Sequence, residues 1–412
     1  MKKITNILNV QNRNILIYLF SDLLAKALPF VFIPLFTKYL TPEQYGNISL
    51  FNVGVEVFII IIIMGGNSYF KIEYNNFKEP ISALYNIIIN VAMIFFICFI
   101  ISWGFYFYIH SSYLFSILPV IILCSFLQSI FYLYISYYQC KEKAIVVGAM
   151  NLFFSITNTL LMVILLVFFD MKEISRYISL GFALFFSVLI VGYILGRSNK
   201  SKVSAKINMP LVRFGFGVLP HAISWWARSG IERLLIGWYL SVSTLGLYSL
   251  AMQLTSLMPL FCNAVNQALI PRIVRSLKAE DKKEAKNILF KATLGIMIVC
   301  LLSSIALPFL LKYFLNHRYF EALVYLPYMI IAFVFQSVII LFGNVLYYYK
   351  HVTYLSMVTF CTSALHICLT LAILNYKPSV YSVIISSTIT FILAALLIFK
   401  RAMLLMRGGN DS

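Results

Sequence analysis

Six charged side chains lie at bilayer depth within long apolar stretches of the chain and are the residues best placed to do chemistry there. They are Asp22, Lys26, Glu56, Arg228, Glu232 and Arg233. A charge at the centre of a bilayer costs roughly 2.5–3.5 kcal/mol on insertion scales, so such residues commonly mark an ion or substrate pathway. The cationic members could bind an anion, and the carboxylates could bind a proton or a sodium ion.

Four of these charges form two pairs with helical spacing. Asp22 and Lys26 are four residues apart, as are Arg228 and Glu232, so each pair shares one face of a helix. One interpretation is that each pair only neutralises itself inside the membrane. The other is that Lys26 and Arg228 face a shared water-filled cavity and bind an anionic substrate. A carboxylate, from Asp22, Glu56 or Glu232, would then bind the coupling ion or pair with a cation.

Other polar residues within the apolar stretches are weaker candidates. Arg233 is close enough to the end of its segment for its head group to reach the interface. Asn52, Gln253 and Gln336 could line the cavity, but polar side chains in membrane helices commonly join one helix to another. We therefore treat these three as possible cavity residues only.

The residue patterns of common enzymes are missing from the sequence. It contains no Gly-x-x-x-x-Gly-Lys-Ser/Thr loop, no His-Glu-x-x-His and no Gly-x-Ser-x-Gly. The seven cysteines have no paired spacing. The five histidines are scattered singly: His110, His221, His317, His351 and His366. We predict a transporter and not an enzyme, with no metal and no cofactor beyond a coupling proton or sodium ion.

The composition identifies the elements that must position these charges. Of 412 residues, 61% are hydrophobic and 11% are charged, whereas soluble domains carry about 25% charged residues. A membrane-spanning helix needs about 20 mostly apolar residues. Twelve segments satisfy this requirement, which predicts an all-α integral membrane protein: 14–39, 43–69, 81–108, 113–138, 144–169, 174–196, 212–240, 243–270, 285–314, 320–347, 353–375 and 380–402.

The distribution of basic residues predicts the orientation. Most of the 32 lysines and arginines fall in loops on the same side as the N-terminus, which is the cytoplasmic side by the positive-inside rule. The opposite loops hold only Lys38, Lys172, Arg176, Lys312, Arg318 and Lys377. Both termini are therefore predicted to be cytoplasmic. The basic residues are scattered over separate loops, so the net charge of +18 does not indicate nucleic-acid binding.

An internal repeat predicts two six-helix bundles. The stretch YLTPEQYGNISL (39–50) matches YLSVSTLGLYSL (239–250), and each joins the first and second predicted helices of one half. Both halves begin on the cytoplasmic side, so a pseudo-two-fold axis along the membrane normal would relate them. The domains are then residues 1–196, a basic cytoplasmic linker at 197–211, and residues 212–412. Prolines within several spans, including Pro220, should bend their helices.

The stretch LLAKALPFVFIPLFTKYLTPEQYGNISLFN (23–52) resembles the N-terminal signature of the O-antigen flippases, the Wzx family of polysaccharide transporters. That family belongs to the superfamily of the multidrug and toxin extruders and the lipid II flippases. The matching features are the lysine in the first helix, the Ile-Pro-Leu and the Leu-Thr-Pro-Glu-Gln-Tyr-Gly turn.

The resemblance implies a V-shaped central cavity between the bundles. It also implies movement of an undecaprenyl-diphosphate-linked oligosaccharide, a repeat unit of O-antigen or lipopolysaccharide, from the cytoplasmic to the periplasmic leaflet of the bacterial inner membrane. Cationic cavity residues would hold the diphosphate or acidic sugars, and an ion gradient would drive transport as in an antiporter. The implied partners are membrane lipid, a polysaccharide polymerase and a chain-length regulator.

Two other functions stay open. A multidrug or cation exporter of the same superfamily should have a negative cavity, whereas the six intramembrane charges sum to zero. A membrane glycosyltransferase or polymerase acting on the same lipid carrier usually displays a large outer loop. The longest loop here, near 271–284, is predicted to be cytoplasmic.

Overall fold

The computed structural model describes residue 21 and residues 23–108, 113–198 and 208–407. Within these ranges the chain is helical with short connections and contains no strand, so the all-α prediction is confirmed. Asp22, His110 and residues 199–207 of the predicted linker lie outside the described residues.

The helices follow the predicted segments closely. They are α1 (23–31), α2 (Ile33–Tyr39), α3 (Pro42–Ile63), α4 (Gly66–Glu73), α5 (Pro80–Tyr108), α6 (Tyr113–Cys140), α7 (Ala144–Val167), α8 (Ile174–Ser198), α9 (Met209–Tyr239), α10 (Val242–Thr255), α11 (Leu257–Lys278), α12 (Lys282–Leu311), α13 (Phe320–Tyr348), α14 (Val352–Tyr376) and α15 (Val380–Arg407).

Three predicted spans are each made of two helices. The first breaks at Phe32, where a proline in the first turn of α2 starts a new helix. The second breaks where Met64 and Gly65 have positive φ angles of 45° and 70°, a conformation that ends a helix. The third breaks at Ser256, between α10 and α11. Sequence hydropathy missed these breaks because the apolar character continues across each of them.

Ten helical stretches among the described residues are long and apolar enough to cross a membrane. They cover the predicted spans apart from the first, which is described only from residue 21 onward, and α9. Helix α9 has 31 residues but carries Arg213, Arg228, Glu232 and Arg233. The chain is therefore a multi-pass membrane protein, and the count of twelve spans stays a prediction.

The chain divides into two compact units. The first unit contains Met1–Leu40 and Asn47–Trp226, and the second contains Thr41–Gly46 and Ala227–Ser412. The boundary differs from the predicted linker at 197–211, because the first half of α9 packs on the first unit. There Leu211 joins the core, and the backbone N–H of Asn208 donates to Asn90 Oδ1 at 3.1 Å.

The core of the first unit is aromatic and aliphatic. Fully buried Phe51, Phe70, Phe131 and Tyr137 lie among leucines and isoleucines of α3 to α6. Such buried side chains pack the helices together at a density close to that of organic crystals. These contacts fix the helices that carry the polar residues of this unit.

The second unit is built around α13. This helix packs against α10, α11, α12 and α15, and α14 packs against α15. Much of α13 is buried, including Tyr325, Leu326 and Phe333. The arrangement holds α10, α14 and α15 beside the second half of α9, where the intramembrane charges lie.

The two repeated turns meet at their glycines. A Cβ on Gly46 would lie 2.0 Å from the carbonyl O of Val242, and one on Gly246 would lie 1.8 Å from the carbonyl O of Pro42. The contact is reciprocal, because Pro42 matches Val242 in the repeat and Gly46 matches Gly246. When a two-fold axis relates two copies of one motif, residue i of the first contacts residue j of the second, and the reverse. The two turns contact each other in this way.

Candidate functional site

The second unit contains a buried polar cluster centred on Glu232. Glu232 lies on α9 and is 6% exposed. Both of its carboxylate oxygens have partners: Oε1 lies 2.6 Å from Nε2 of His366, and Oε2 accepts a 2.6 Å hydrogen bond from the Tyr248 hydroxyl. His366 on α14 is 1% exposed and Tyr248 on α10 is 3% exposed. A carboxylate this well paired can be kept inside a membrane protein.

The other nitrogen of His366 faces hydroxyl groups. Nδ1 lies 3.4 Å from Ser386 Oγ and 3.5 Å from Thr370 Oγ1, and these two hydroxyls are 2.6 Å apart. A hydroxyl can donate or accept. The imidazole therefore has suitable partners whether Nδ1 carries a hydrogen or not.

Arg228 extends the cluster by one helical turn. Its Nη2 donates to Thr390 Oγ1 at 3.2 Å and its Nη1 to Ser363 Oγ at 3.5 Å. The guanidinium also lies over the Phe391 ring at 3.9 Å from the centroid, a cation–π geometry. Within the described part of the chain, Nε has no hydrogen-bond partner.

Arg228 and Glu232 thus use different partners. Arg228 contacts α14 and α15, whereas Glu232 contacts α10 and α14. The pair shares a helix face, as the spacing predicts, yet each charge is held mainly by neighbouring helices. Because an arginine has five N–H donors, the hydrogen bonds to Thr390 and Ser363 do not use all the donors of Arg228.

The first unit places the other predicted residues on α1 and α3. Lys26 is exposed on α1, and α1 is tied to α7 by a 2.6 Å hydrogen bond from Ser155 Oγ to the Ala25 carbonyl. Glu56 is half-buried on α3, one turn after Asn52. The roles predicted for Lys26 and Glu56 stay predictions.

Asn52 accepts hydrogen bonds from an arginine that the sequence assigned to an outer loop. Arg176 lies in the first turn of α8 and donates from Nη2 and Nε to Asn52 Oδ1 at 3.2 and 3.4 Å. Its Nη1 donates to Asn158 Oδ1 at 3.3 Å. Arg176 is therefore part of the packed helices of the first unit, where it joins α3, α7 and α8.

The remaining candidates have simpler surroundings. Gln253 accepts a hydrogen bond from the Tyr45 hydroxyl within the second unit. Gln336 is half-buried on α13. Arg233 donates from Nε to the Ser229 carbonyl on its own helix at 3.2 Å. Among the described residues, no group of three or more metal-ligating side chains occurs.

Comparison with known proteins identifies the family. A family model described as "Polysaccharide biosynthesis protein" matches residues 12–277. The chain belongs to this family. A second model, MatE, matches residues 222–371, which include Arg228, Glu232, Tyr248 and His366 of the cluster.

Two relatives of this polysaccharide biosynthesis protein come from Haemophilus influenzae. An "Uncharacterized membrane protein" is 25% identical over 325 residues, covering 74% of this chain and 77% of the relative. "Lsg locus putative protein 1" is 26% identical over 280 residues, covering 64% of this chain and 65% of the relative.

Solved structures with the same fold are a flippase and transporters. The lipid II flippase MurJ in an inward closed conformation has a TM-score of 0.75 at 15% identity, covering 94% of this chain and 87% of its own. An inward-facing multidrug resistance MATE family transporter of the MOP superfamily has a TM-score of 0.72 at 11% identity, covering 93% and 94%. A mutant of the Vibrio cholerae MATE transporter VcmN has a TM-score of 0.60 at 14% identity, covering 100% and 99%. The chain therefore shares its fold with solved transporters and with a flippase.

Sequence reasoning on this family member missed His366, Tyr248 and Arg176 as parts of polar clusters. A signal for His366 was present: Ser363, His366 and Thr370 recur at helical spacing on α14. A matching stripe, Ser386 and Thr390, occurs on α15. Two polar stripes on neighbouring membrane helices indicate a shared buried cluster.

Proposed function

We propose that this protein is a flippase that moves an undecaprenyl-diphosphate-linked oligosaccharide, such as an O-antigen or other lipopolysaccharide repeat unit, from the cytoplasmic to the periplasmic leaflet of the bacterial inner membrane. The observation that carries the proposal is the match of the polysaccharide biosynthesis family over residues 12–277. A fold like that of a lipid II flippase supports it, because lipid II is itself the cargo of that neighbour by name. In this proposal twelve spans form two bundles around a central V-shaped cavity, both termini are cytoplasmic, and polysaccharide polymerase and chain-length regulator proteins act downstream.

Cationic side chains at membrane depth suit such a cargo. A diphosphate carries negative charge that must be kept from the hydrocarbon core, and arginine forms bidentate hydrogen bonds with phosphate oxygens. The hydrogen bonds that Arg228 makes to side chains are to the neutral hydroxyls of Ser363 and Thr390, and Lys26 is exposed on α1. We assign the anion-binding role to these two residues. An ion gradient, of protons or sodium, would supply the driving force, with Glu232 as the leading carboxylate.

Deletion of the gene in its native host, followed by rescue, tests the proposal. We expect deletion to abolish surface polysaccharide and lipid-linked repeat units to accumulate in the inner leaflet. Wild type and Arg228→Lys should restore polysaccharide fully or partly. Lys26→Ala and Arg228→Met should reduce it at least tenfold, because losing charge-assisted hydrogen bonds worth about 1.5–3 kcal/mol corresponds to about one to two powers of ten in binding.

Lys283→Ala is the matched control, since Lys283 is an exposed lysine at the start of α12 and should rescue fully. Each variant is compared at equal membrane abundance. Normal polysaccharide after deletion would reject the flippase and favour a drug or cation exporter, which the MatE match to residues 222–371 also accommodates. Failure to make any lipid-linked repeat unit would instead favour an enzyme acting on the lipid carrier.

A further inference from the structure

The exposed face of α11 differs from that of the next helix. On α12 the exposed residues of the apolar part are mostly large and aliphatic, among them Leu294, Met297, Ile298 and Leu301. Such a face suits the hydrocarbon of a bilayer, which is as apolar as leucine. On α11, all of which is described, Phe261 alone is a large apolar side chain that is exposed. The two helices therefore present different surfaces to their surroundings.

Amide and small side chains form most of the exposed surface of α11 before its basic end. Asn263, Ala264, Gln267 and Ala268 are all exposed. Residues four positions apart share one side of a helix, so these four form one continuous surface, which we call the amide face. No charged residue occurs between Leu257 and Pro271. The amide face is therefore neutral and able to form hydrogen bonds.

The opposite side of α11 is packed against the rest of the second unit. Met258, Cys262 and Ile273 are buried. Asn266, a third amide on this helix, accepts a 2.7 Å hydrogen bond from Asn344 of α13 through its Oδ1 atom. Asn266 thus joins two helices, as polar residues in membrane helices commonly do. These contacts fix the rotation of α11 and leave the amide face on the outside.

The amide face lies at membrane depth. Helices α10 and α11 together form one stretch that is long and apolar enough to span, Val242–Lys278, and its middle residue is 260. At about 1.5 Å per residue, Asn263 and Gln267 both fall within a hydrocarbon core about 30 Å thick. An amide without a hydrogen-bond partner is costly in an apolar medium. The amide face therefore suits water or a polar ligand and not lipid chains.

We propose that the amide face binds the hydroxyl and acetamido groups of uncharged sugars in the carried oligosaccharide. This rests on the proposed function, because it takes the cargo to be a lipid-linked oligosaccharide. The side chains of Asn263 and Gln267 each carry an acceptor and two donors, which match groups that both donate and accept. Ala264 and Ala268 have short side chains, so a sugar ring can approach the helix closely between the two amides.

The same face does not suit acidic sugars. A carboxylate taken from water into a protein needs a cation or charge-assisted hydrogen bonds, and α11 has no charged side chain between Leu257 and Pro271. Its exposed cations, Arg272 and Arg275, begin only at the basic end of the helix. The neutral sugars and the anionic diphosphate would then contact different residues.

Binding of defined lipids tests the proposal. The full-length protein is placed in lipid nanodiscs, and dissociation constants are measured by native mass spectrometry for three probes. These are undecaprenyl diphosphate alone, the same lipid carrying N-acetylglucosamine, and the same lipid carrying glucuronic acid. We expect the N-acetylglucosamine lipid to bind at least tenfold more tightly than the bare lipid, which is about 1.4 kcal/mol. The glucuronic acid lipid should bind no more tightly than the N-acetylglucosamine lipid.

Variants assign the gain to the amide face. Asn263→Leu and Gln267→Leu should each remove most of the gain from the sugar and leave binding of the bare lipid unchanged. Asn263→Gln keeps the amide and should retain part of the gain. Asn287→Leu is the matched control, because Asn287 is an exposed asparagine on α12, outside the amide face, and this variant should behave like the parent. Asn263→Ala and Gln267→Ala replace the leucine variants if these do not fold.

The outcomes separate this proposal from the flippase itself. Equal binding of the bare and the N-acetylglucosamine lipids would overturn the sugar site and leave the flippase standing. The same conclusion follows if the glucuronic acid lipid binds most tightly. If the leucine variants keep the full gain, the sugar is bound elsewhere and the amide face has another occupant, such as a helix of a partner protein. If the parent binds none of the three lipids, both proposals are rejected.

Discussion

At the residue scale, the hydroxyl of Tyr248 donates a hydrogen bond that holds the Glu232 carboxylate in place. It donates to a carboxylate buried among α9, α10 and α14. Hydrogen bonds to charged groups contribute about 1.5–3 kcal/mol, and a buried acceptor left unpaired costs a similar amount. We expect Tyr248→Phe to lower the free energy of unfolding by about 2 kcal/mol, measured by steric trapping in bicelles.

Tyr325→Phe is the control for this change. The Tyr325 hydroxyl also donates to a glutamate, Glu321, but that side chain is exposed and water can replace the phenol. Its effect should stay below about 1 kcal/mol, as for other solvent-exposed polar contacts. If the free energy of unfolding fell equally in the two variants, burial of Glu232 would not strengthen its hydrogen bond with Tyr248.

At the element scale, the crossing of α3 and α10 depends on two glycines. A methyl group on Gly246 would sit 1.8 Å from the Pro42 carbonyl and 2.9 Å from the Gly46 nitrogen, closer than atoms can approach. The helices would have to separate, and overpacking of this kind costs about 1–3 kcal/mol or more. We expect Gly246→Ala to lower the melting temperature and the yield of monodisperse protein in detergent.

Gly217→Ala, on α9, tests whether a change from glycine to alanine in any helix of this protein has that effect. Among the described residues, no heavy atom apart from the neighbouring residues and backbone of its own helix lies within 4 Å of the position of a Cβ on Gly217, and alanine favours a helix over glycine by about 1 kcal/mol. This variant should melt at the parent temperature or slightly above it. A parent-like Gly246→Ala would contradict the close crossing.

Sequence reasoning reached some of these elements and missed others for physical reasons. The helices and the charges on α9 are visible in the sequence because hydropathy and side-chain charge are local properties. The repeat of Gly46 and Gly246 was visible as well, but the contact between them was not. The pairing of Glu232 with His366 was also out of reach, because the two residues are 134 positions apart and meet only when α9 packs on α14.

At the scale of the whole molecule, the number of spans depends on α9. This helix carries four charged residues, and charges at membrane depth are costly. However, Arg228 donates to hydroxyls of α14 and α15, and Glu232 has partners on α10 and α14. Because neighbouring helices supply these partners, the cost of burying the two charges is largely offset, and α9 can cross the membrane within the folded protein.

Reporter fusions test that crossing directly. If α9 spans and α10 with α11 forms the next span, residue 208 should be cytoplasmic, residue 241 periplasmic and residue 280 cytoplasmic. We expect green fluorescent protein to fluoresce when fused after residues 208 and 280, and alkaline phosphatase to be active only after residue 241. A fusion after Lys350, in the basic turn between α13 and α14, should report the cytoplasm and provides the reference.

If α9 did not cross, residues 208 and 241 would report the same side, residue 280 would report the other, and the positive-inside bias of every later loop would be reversed. The repeat argues against that outcome. The matched turns after Tyr39 and Tyr239 would then lie on opposite sides of the membrane, whereas Gly46 and Gly246 are in contact.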